Sequence, residues 1–324
     1  MENTEKKQPL VQVKNLCKYF EISRKETLKA VDDLTFDIYK GETVSLVGES
    51  GCGKSTTGRT MIKLYNPTSG NVYYDGKDIF KYNHAEQKEF CKKVQMIFQN
   101  PYSSLNPRMT VKDIVGEGLK QHGMSTKDAD AKVEQLLATV GLNKDHMSRS
   151  PHEFSGGQRQ RIGIARALSV DPEFIICDEP ISALDVSIQA QVINMLKELQ
   201  EERGLTYLFI AHDLSVVKYI SDRVVVMYLG TMVETAETDE LYAHPMHPYT
   251  QALLGAQFSI HMDPSQKIQS IESEAPSPLD VPKGCPFQNR CEHCTDRCKA
   301  EMPKLKEIAP GHAVACFYVE EQKI

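Results

Sequence analysis

Residues 48–56 read Gly-Glu-Ser-Gly-Cys-Gly-Lys-Ser-Thr, a spacing that matches a phosphate-binding loop. Glycines allow backbone N–H groups to converge on phosphate oxygens, and the positive end of a following helix dipole adds to that attraction. In such a loop Lys54 reaches the β- and γ-phosphates of a nucleotide, and the Ser55 hydroxyl binds Mg²⁺. The candidate nucleotide-binding residues of this segment are Gly48, Ser50, Gly51, Gly53, Lys54, Ser55 and Thr56.

Two carboxylates, Asp178 and Glu179, directly follow the apolar run Phe174–Cys177. The end of a strand where such a pair lies is also where ligands bind in open α/β sheets. Asp178 is therefore a candidate Mg²⁺ ligand, directly or through water, and Glu179 is a candidate general base for an attacking water. Alone, such a pair is usually a solvated strand end, but the phosphate-binding pattern favours the catalytic interpretation.

A third segment, Phe154-Ser-Gly-Gly-Gln158, places two glycines before a helical run from Arg159 to Leu168. We predict that Ser155 caps this helix, because serine side chains accept hydrogen bonds from N–H groups of the first turn. Glycine-rich backbone at a helix start also suits an anion. A plain helix N-terminus is the simpler alternative.

The elements that must position these residues alternate along the chain. Short apolar runs predict buried strands, and periods of three to four residues predict helices between them, which indicates an α/β core with a parallel sheet. A mostly helical block at about 101–170 interrupts this alternation and is predicted to be an insertion. The predicted strands are Val44–Val47, Val94–Phe98, Phe174–Cys177, Leu208–Ala211 and Val224–Met227, and helical patterns cover Ser55–Leu64, Thr110–Gly141 and a stretch closed by Gly204.

Composition narrows the class of protein. The chain has 324 residues, of which 40% are hydrophobic and 25% charged, as in ordinary globular domains. No stretch approaches the ~20 apolar residues that a membrane span needs, and the polar start is not a secretion signal. A net charge of -6 without a Lys/Arg block argues against a nucleic-acid partner.

Five of the nine cysteines lie near the C-terminus, after a Pro- and Ser-rich connector. In a cytosolic protein such a cluster favours a metal or cofactor site over disulfides. Four thiolates can hold Zn²⁺ or a [4Fe–4S] cluster, and the spacing alone leaves both open, along with free thiols in a loop. The candidate ligands are Cys285, Cys291, Cys298 and Cys316, with Cys294 as an extra cysteine that could replace one of them.

The three motifs above occur in an order that resembles the ABC transporter ATPases. The resemblance implies a P-loop NTPase (RecA-like) nucleotide-binding domain with an inserted helical subdomain and a small Cys-rich C-terminal extension. In that family the signature, here Ser155, Gly157 and Gln158, contacts the γ-phosphate held by the opposite subunit. Two subunits therefore sandwich two ATP molecules head to tail.

The same resemblance assigns roles to residues that carry little signal alone. Gln99 resembles the Q-loop glutamine, which senses Mg²⁺ and the attacking water. Asp185, in Ser182–Asp185, resembles the D-loop aspartate at the dimer interface, and His212 resembles the switch histidine at the γ-phosphate. Phe20, or less favoured Tyr19, resembles the aromatic residue that stacks on adenine.

Three further segments resemble the oligopeptide/dipeptide permease ATPases: Asn100–Thr110, Ser150–Phe154 and His247–Thr250. Among the two paired subunits of that subfamily the chain resembles the F-type, on the segments Ile176–Asp185, Phe209–Asp213 and Met227–Gly230. This subfamily implies a D-type ATPase partner, two transmembrane permease subunits and an extracellular peptide-binding protein, with the chain at the cytoplasmic face of the membrane. It also implies an ATP-binding domain over 1–250, an extension over 251–324, and iron–sulfur rather than zinc.

Two other functions stay open at this stage. A soluble ABC ATPase acting on nucleic acid in repair or translation is one, although such proteins carry two nucleotide domains or a long coiled-coil insertion. The other keeps the transporter and changes its cargo to nickel, glutathione or signalling peptides, because cargo never touches an ATPase subunit.

Overall fold

A computed structural model describes residues 8–24, 26–258 and 276–322 of the chain. The chain divides into two compact units. One, the terminal unit, combines Met1–Phe80 with Ala211–Ile324, and the other, the central unit, is Lys81–Ile210.

The first half of the terminal unit carries a small antiparallel sheet. In this sheet the long N-terminal strand β1 pairs on one side with β2 and on the other with β4, and the order is β2-β1-β4-β5. The sequence patterns did not predict this sheet, whereas the predicted strand before the phosphate-binding loop is confirmed as β3. The elements are β1 Val11–Glu21, β2 Thr27–Ile38, β3 Thr43–Val47, α1 Lys54–Met61, β4 Ser69–Tyr74 and β5 Lys77–Asp78.

The central unit contains three parallel strands and six of the twelve α-helices in the described part of the chain. β7 lies between β6 and β8, and both β7 and β8 are buried along their whole length, as their continuous apolar sequences predict. The helical pattern predicted over 110–141 forms two helices, α4 and α5, capped by Thr110 and Ser125. The elements are α2 His84–Lys93, β6 Val94–Ile97, α3 Pro101–Ser104, α4 Val111–Gln121, α5 Thr126–Thr139, 3₁₀ turns Lys144–Ser148 and Pro151–Glu153, α6 Gly156–Leu168, β7 Phe174–Asp178, α7 Val186–Arg203 and β8 Thr206–Ile210.

The second half of the terminal unit joins the C-terminal segment to a sheet that contains β3. β3 pairs in parallel with β9, and the order continues through β10 to the hairpin β12–β11. The segment with the cysteines therefore contributes two strands to this sheet. The elements are α8 Leu214–Ile220, β9 Arg223–Tyr228, β10 Thr231–Glu237, α9 Thr238–Ala243, α10 Pro248–Phe258, a 3₁₀ turn Gln288–Arg290, α11 Asp296–Ala300, β11 Lys306–Ala309, β12 His312–Val314 and α12 Phe317–Gln322.

Across the three described ranges, no helix combines the length and the apolar character that a membrane crossing requires.

Candidate nucleotide-binding and hydrolysis residues

The phosphate-binding loop has a backbone that only glycine can follow at two positions. Gly48 has a φ of 146°, and a Cβ there would lie 2.2 Å from the carbonyl oxygen of Met227. Gly53 has a φ of 104°, and its Cβ would lie 2.0 Å from the carbonyl oxygen of Ala30. Since real Cβ atoms do not come this close to backbone, the loop conformation depends on these glycines.

Lys54, the first residue of α1, is buried inside the loop. Its Nζ donates hydrogen bonds to the carbonyl oxygens of Gly48, at 2.8 Å, and Glu49, at 2.9 Å. Gly53, at the N-cap, gives the first turn of α1 no side-chain cap. The helix therefore begins with a buried cation and uncapped backbone, an arrangement suited to phosphate.

Two aromatic candidates for stacking on a base lie at the end of β1. The hydroxyl of Tyr19 is held in a short hydrogen bond to the carboxylate of Asp32. The Phe20 ring makes an edge contact with Tyr65, with ring centroids 5.6 Å apart, and Lys18 Nζ lies 4.8 Å from the Phe20 centroid. Phe20 and Tyr19 lie side by side in sequence, and each ring already has neighbours in the fold.

His212 lies in the terminal unit beside β3. The N–H of Ala211 donates to the carbonyl oxygen of Leu46 at 3.3 Å, so the histidine follows near the end of β3 from which the phosphate-binding loop starts. Its side chain is exposed.

In the central unit, Gln99 and Glu179 meet although 80 positions separate them. Gln99 Nε2 donates to Glu179 Oε2 at 2.6 Å. Glu179 itself has a φ of 44°, and its N–H donates to the Ile210 carbonyl oxygen at 3.0 Å. Asp178, at the end of β7, is fully buried. The sharp turn after β7 therefore points two adjacent carboxylates into different surroundings: Asp178 is buried, and Glu179 is oriented by Gln99.

The glycine-rich signature forms the start of α6, and Ser155 caps this helix as predicted. Its hydroxyl accepts from the N–H of Gln158 at 3.4 Å, and Gln158 Oε1 accepts from the N–H of Ser155 at 3.1 Å. A Cβ on Gly157 would lie 2.5 Å from a methyl carbon of Ile188. The Ile188 N–H in turn donates to Asp185, which caps α7, and this hydrogen bond lowers the pKa of the Asp185 carboxyl.

The structure thus places the candidate residues in two sets. The terminal unit holds Phe20, the loop residues Gly48, Ser50, Gly51, Gly53, Lys54, Ser55 and Thr56, and His212; the central unit holds Gln99, Ser155, Gly157, Gln158, Asp178, Glu179 and Asp185.

Four cysteines, Cys285, Cys291, Cys298 and Cys316, line one cavity of about 10 Å³, room for about one water-sized atom. Burial raises the pKa of the Cys285 thiol to about 12 and that of Cys291 to about 11. Within the described ranges, no group of three or more His, Cys, Asp or Glu side chains is arranged to hold a metal ion. Cys294 lies outside this cavity, and its Sγ contacts the carbonyl oxygen of Thr295.

Three residues around the loop were not predicted to act on it: Glu49, Tyr249 and Arg290. Arg290 Nη1 and Nη2 each donate to the Glu49 carboxylate at 2.9 Å, and the Glu49 N–H donates to the Tyr249 hydroxyl at 2.8 Å. No local signal could reveal these contacts, because about 200 positions or more separate the partners.

Family models match two stretches of the chain. Residues 31–182 match the ABC transporter model, and residues 233–298 match the C-terminal region of oligopeptide/dipeptide transporters. Among solved structures, cbiO1 of Clostridium perfringens, part of an ABC transporter complex, is 26% identical with a TM-score of 0.64, covering 73% of this chain and 91% of that one. A dimeric ATP-binding cassette bound to ADP and Pi is 30% identical with a TM-score of 0.65, covering 70% and 98%.

Relatives of full length narrow the class further. The chain is 55% identical to the oligopeptide transport ATP-binding protein OppF of Bacillus subtilis, over 96% of this chain and 97% of that protein. It is 54% identical to AppF of the same organism, over 95% and 96%. The chain is an ABC transporter ATPase with the P-loop fold. Within that class it belongs to the group that carries the oligopeptide/dipeptide transporter C-terminal region.

Proposed function

We propose that this chain is the ATP-hydrolysing subunit that energises an importer of oligopeptides or dipeptides. The observation that carries this proposal is the 54–55% identity, over nearly the whole chain, to relatives named oligopeptide transport ATP-binding proteins. The match of residues 233–298 to the C-terminal region of such transporters supports the same cargo class. Nickel, glutathione and signalling peptides are the cargo alternatives.

In the proposed cycle each residue acts on the phosphates or on the attacking water. Lys54 and the backbone of the phosphate-binding loop hold the β- and γ-phosphates, and Phe20 stacks on adenine. Ser55, Asp178 and Gln99 would hold Mg²⁺, and the ion would neutralise charge on the phosphates. Glu179 polarises the attacking water.

His212 contacts the γ-phosphate in this proposal. The hydrogen bond from Gln99 orients the Glu179 carboxylate, which would accept a proton from the attacking water. The Asp178 carboxylate is fully buried, and a cation beside it would offset part of the cost of removing its charge from water.

We further propose that the signature works on a partner subunit's nucleotide. Ser155, Gly157 and Gln158 would face a γ-phosphate bound by a non-identical D-type ATPase, with Asp185 at the interface. The dimeric state of the related cassette bound to ADP and Pi supports a composite site. Two transmembrane permease subunits and an extracellular peptide-binding protein complete the assembly, and the chain lies at the cytoplasmic face of the membrane.

The mechanism is tested on the complex that co-purifies with the chain. Glu179→Gln should lower the rate of ATP hydrolysis at this site at least roughly 100-fold, because the general base is lost, while ATP binding is retained. Glu198→Gln on the exposed face of α7 is the matched control and should hydrolyse like the unaltered complex. Undiminished hydrolysis in Glu179→Gln, with the partner's own site inactivated, would show that the assigned base is wrong.

Cargo is tested in the same complex after reconstitution into vesicles. ATP-dependent uptake of labelled di- to pentapeptides is expected, without uptake of nickel or glutathione. Co-purification with nucleic acid and no membrane protein would instead support the alternative of a soluble ABC ATPase.

For the cysteine cavity we propose a soft-metal group held by Cys285, Cys291, Cys298 and Cys316, with iron–sulfur favoured over zinc. The donor chemistry fits, since four thiols line one cavity and a bound metal stabilises the thiolate form that burial disfavours. The cavity admits about one atom, so the thiols would have to move outward to hold a cluster. When bound, such a group would cross-link a module with a small core.

Metal analysis of anaerobically purified chain tests this proposal. Iron with labile sulfide is the expected result, and zinc alone would reject the cluster. Serine at each of the four positions should lower the metal content, whereas Cys294→Ser, the matched control, should leave it unchanged.

A further inference from the structure

Glu49, the second residue of the phosphate-binding loop, is held at three points. Its carboxylate accepts two hydrogen bonds from Arg290, both 2.9 Å long. Its N–H donates to the Tyr249 hydroxyl at 2.8 Å, and its carbonyl oxygen accepts from Lys54 Nζ at 2.9 Å. One residue therefore links the loop lysine to a side chain 241 positions away.

Arg290 is buried, and its neighbours hold the plane of its guanidinium group in one orientation. Its side chain is 5% exposed, and its Nη1 also donates to the Tyr228 hydroxyl at 3.2 Å. The guanidinium carbon lies 5.8 Å from the ring centroids of both Tyr228 and Phe287, and Tyr249 packs against both rings. A bidentate ion pair packed among aromatic rings holds its carboxylate in one geometry, which an exposed ion pair does not do.

The same arginine belongs to the cysteine-bearing segment. It ends the 3₁₀ turn Gln288–Arg290, its N–H donates to the Phe287 carbonyl oxygen at 3.0 Å, and the next residue is Cys291. Cys285 lies on the other side of the turn, and its N–H donates to the Cys298 carbonyl oxygen at 2.7 Å. Cys291 adjoins Arg290 in the chain and Cys285 lies five positions before it, so a displacement of either thiol can be passed to Arg290 along this short stretch of backbone.

The negative charge of Glu49 determines whether loss of Arg290 strengthens or weakens ATP binding. Paired with Arg290, the Glu49 carboxylate is neutralised; unpaired, it is a negative charge within the loop that binds the phosphates. Like charges repel more strongly where water shields them less, and the Glu49 side chain is only 27% exposed. Loss of Arg290 should therefore weaken ATP binding.

We infer that Arg290 is a positioning residue for the phosphate-binding loop, and that through Glu49 it makes ATP affinity depend on the state of the cysteine segment. The inference rests on the proposed assignment of residues 48–56 to the phosphates of ATP. Lys54→Ala tests that assignment separately.

The experiment measures the dissociation constant for ATP with the full chain. Arg290→Ala should raise it roughly tenfold, the loss of one charge-assisted contact. In hydrolysis by the assembled complex, KM should rise while kcat changes less than about twofold, since no group that touches the reacting atoms is removed. The matched control is Arg297→Ala in the same segment, whose guanidinium stacks on Phe317 and pairs with Glu301 and Glu321.

Rescue separates the charge mechanism from simple loss of structure. Glu49→Gln combined with Arg290→Ala removes the unpaired charge and should restore the dissociation constant to within about threefold of the unaltered chain. Arg290→Lys keeps the positive charge but cannot donate two parallel hydrogen bonds to Glu49. Its dissociation constant for ATP should therefore lie between those of the unaltered chain and of Arg290→Ala, and this variant replaces Arg290→Ala if the alanine variant does not fold.

Dependence on the cysteine segment is tested by Cys291→Ser. As a single variant, Cys291→Ser should raise the dissociation constant for ATP about threefold or more. Added to Arg290→Ala, it should cause no further rise. The inference is overturned if Arg290→Ala binds ATP like Arg297→Ala, if Glu49→Gln gives no rescue, or if the effect of Cys291→Ser persists without Arg290. If Lys54→Ala also binds ATP normally, the phosphate-loop assignment itself fails.

Discussion

Two helices of this protein begin at glycine-rich segments, yet their N-termini are capped differently. At α1 the N-cap is Gly53 in a left-handed conformation, and it provides no side-chain hydrogen bond. At α6 the N-cap is Ser155, and Ser155 and Gln158 cap each other reciprocally. One helix start therefore leaves its first N–H groups uncapped by side chains, and the other satisfies part of them itself.

The two kinds of cap indicate how each helix start can bind a phosphate. The first four N–H groups of any helix lack partners within that helix. At α1 the buried Lys54 adds a positive charge beside them, which suits the tightly held nucleotide of the same chain. At α6 a serine cap satisfies part of the helix start without a ligand, which agrees with our proposal that a partner subunit supplies the nucleotide there.

The largest effect is expected from Gly53→Ala. A Cβ there meets the Ala30 carbonyl oxygen at 2.0 Å in a strained backbone, so the free energy of unfolding should fall by about 3 kcal/mol and ATP binding should be lost. Chemical denaturation measures the first and nucleotide titration the second.

The matched control for that prediction is Gly123→Ala. Gly123 also has a positive φ, 88°, but nothing lies within 4 Å of its added Cβ, so only about 1 kcal/mol of strain is expected. Equal losses at the two glycines would show that the close approach at α1 is not what makes Gly53 necessary.

A smaller effect is expected from Lys54→Ala, which removes the cation without adding an atom. ATP affinity should fall roughly 100-fold, about 2.7 kcal/mol, because the uncapped start of α1 then has only its dipole to attract phosphate. Calorimetric titration checks this, with exposed Lys40→Ala as the control that should bind normally. Unchanged binding in Lys54→Ala would remove the proposed contrast between α1 and α6.

The smallest effect separates capping from phosphate binding at α6. Ser155→Ala should cost about 1 kcal/mol of stability, whereas Ser155→Asp keeps a cap and most of that stability. The added negative charge should nevertheless reduce ATP hydrolysis by the complex, because it would repel the partner's phosphate.

Asn83→Ala at the start of α2, which has its own capping box, provides the comparison for Ser155. It should lose similar stability and hydrolyse ATP normally. Full activity in Ser155→Asp would show that the cap is all that Ser155 contributes.

Prediction from sequence succeeded where near neighbours decide the structure. The strand before the loop, the strand before Asp178, the cap at Ser155 and the helix end at Gly204 are each set by residues within a few positions. It was less accurate where competing signals overlap. The pattern over 110–141 breaks at the turn around Gly123, and α1 ends at Met61 rather than Leu64.

The antiparallel sheet of β1, β2 and β4 was missed for a related reason. Its strands pair through irregular registers with bulges, so the alternation of buried and exposed side chains is interrupted and gives little periodic signal. The link between β10 and the C-terminal hairpin was missed because about 80 positions separate its partners Glu234 and Val314.

The order and chemistry of the motifs can be read from local sequence, since a glycine that must adopt a positive φ or a serine that caps a helix acts through its immediate neighbours. The contacts between Gln99 and Glu179 and between Arg290 and Glu49 arise only in the folded chain. The physical reason is that such pairs form between surfaces that become neighbours after the sheets assemble. Nothing in the local sequence of Arg290 indicates that it binds the Glu49 carboxylate of the phosphate-binding loop.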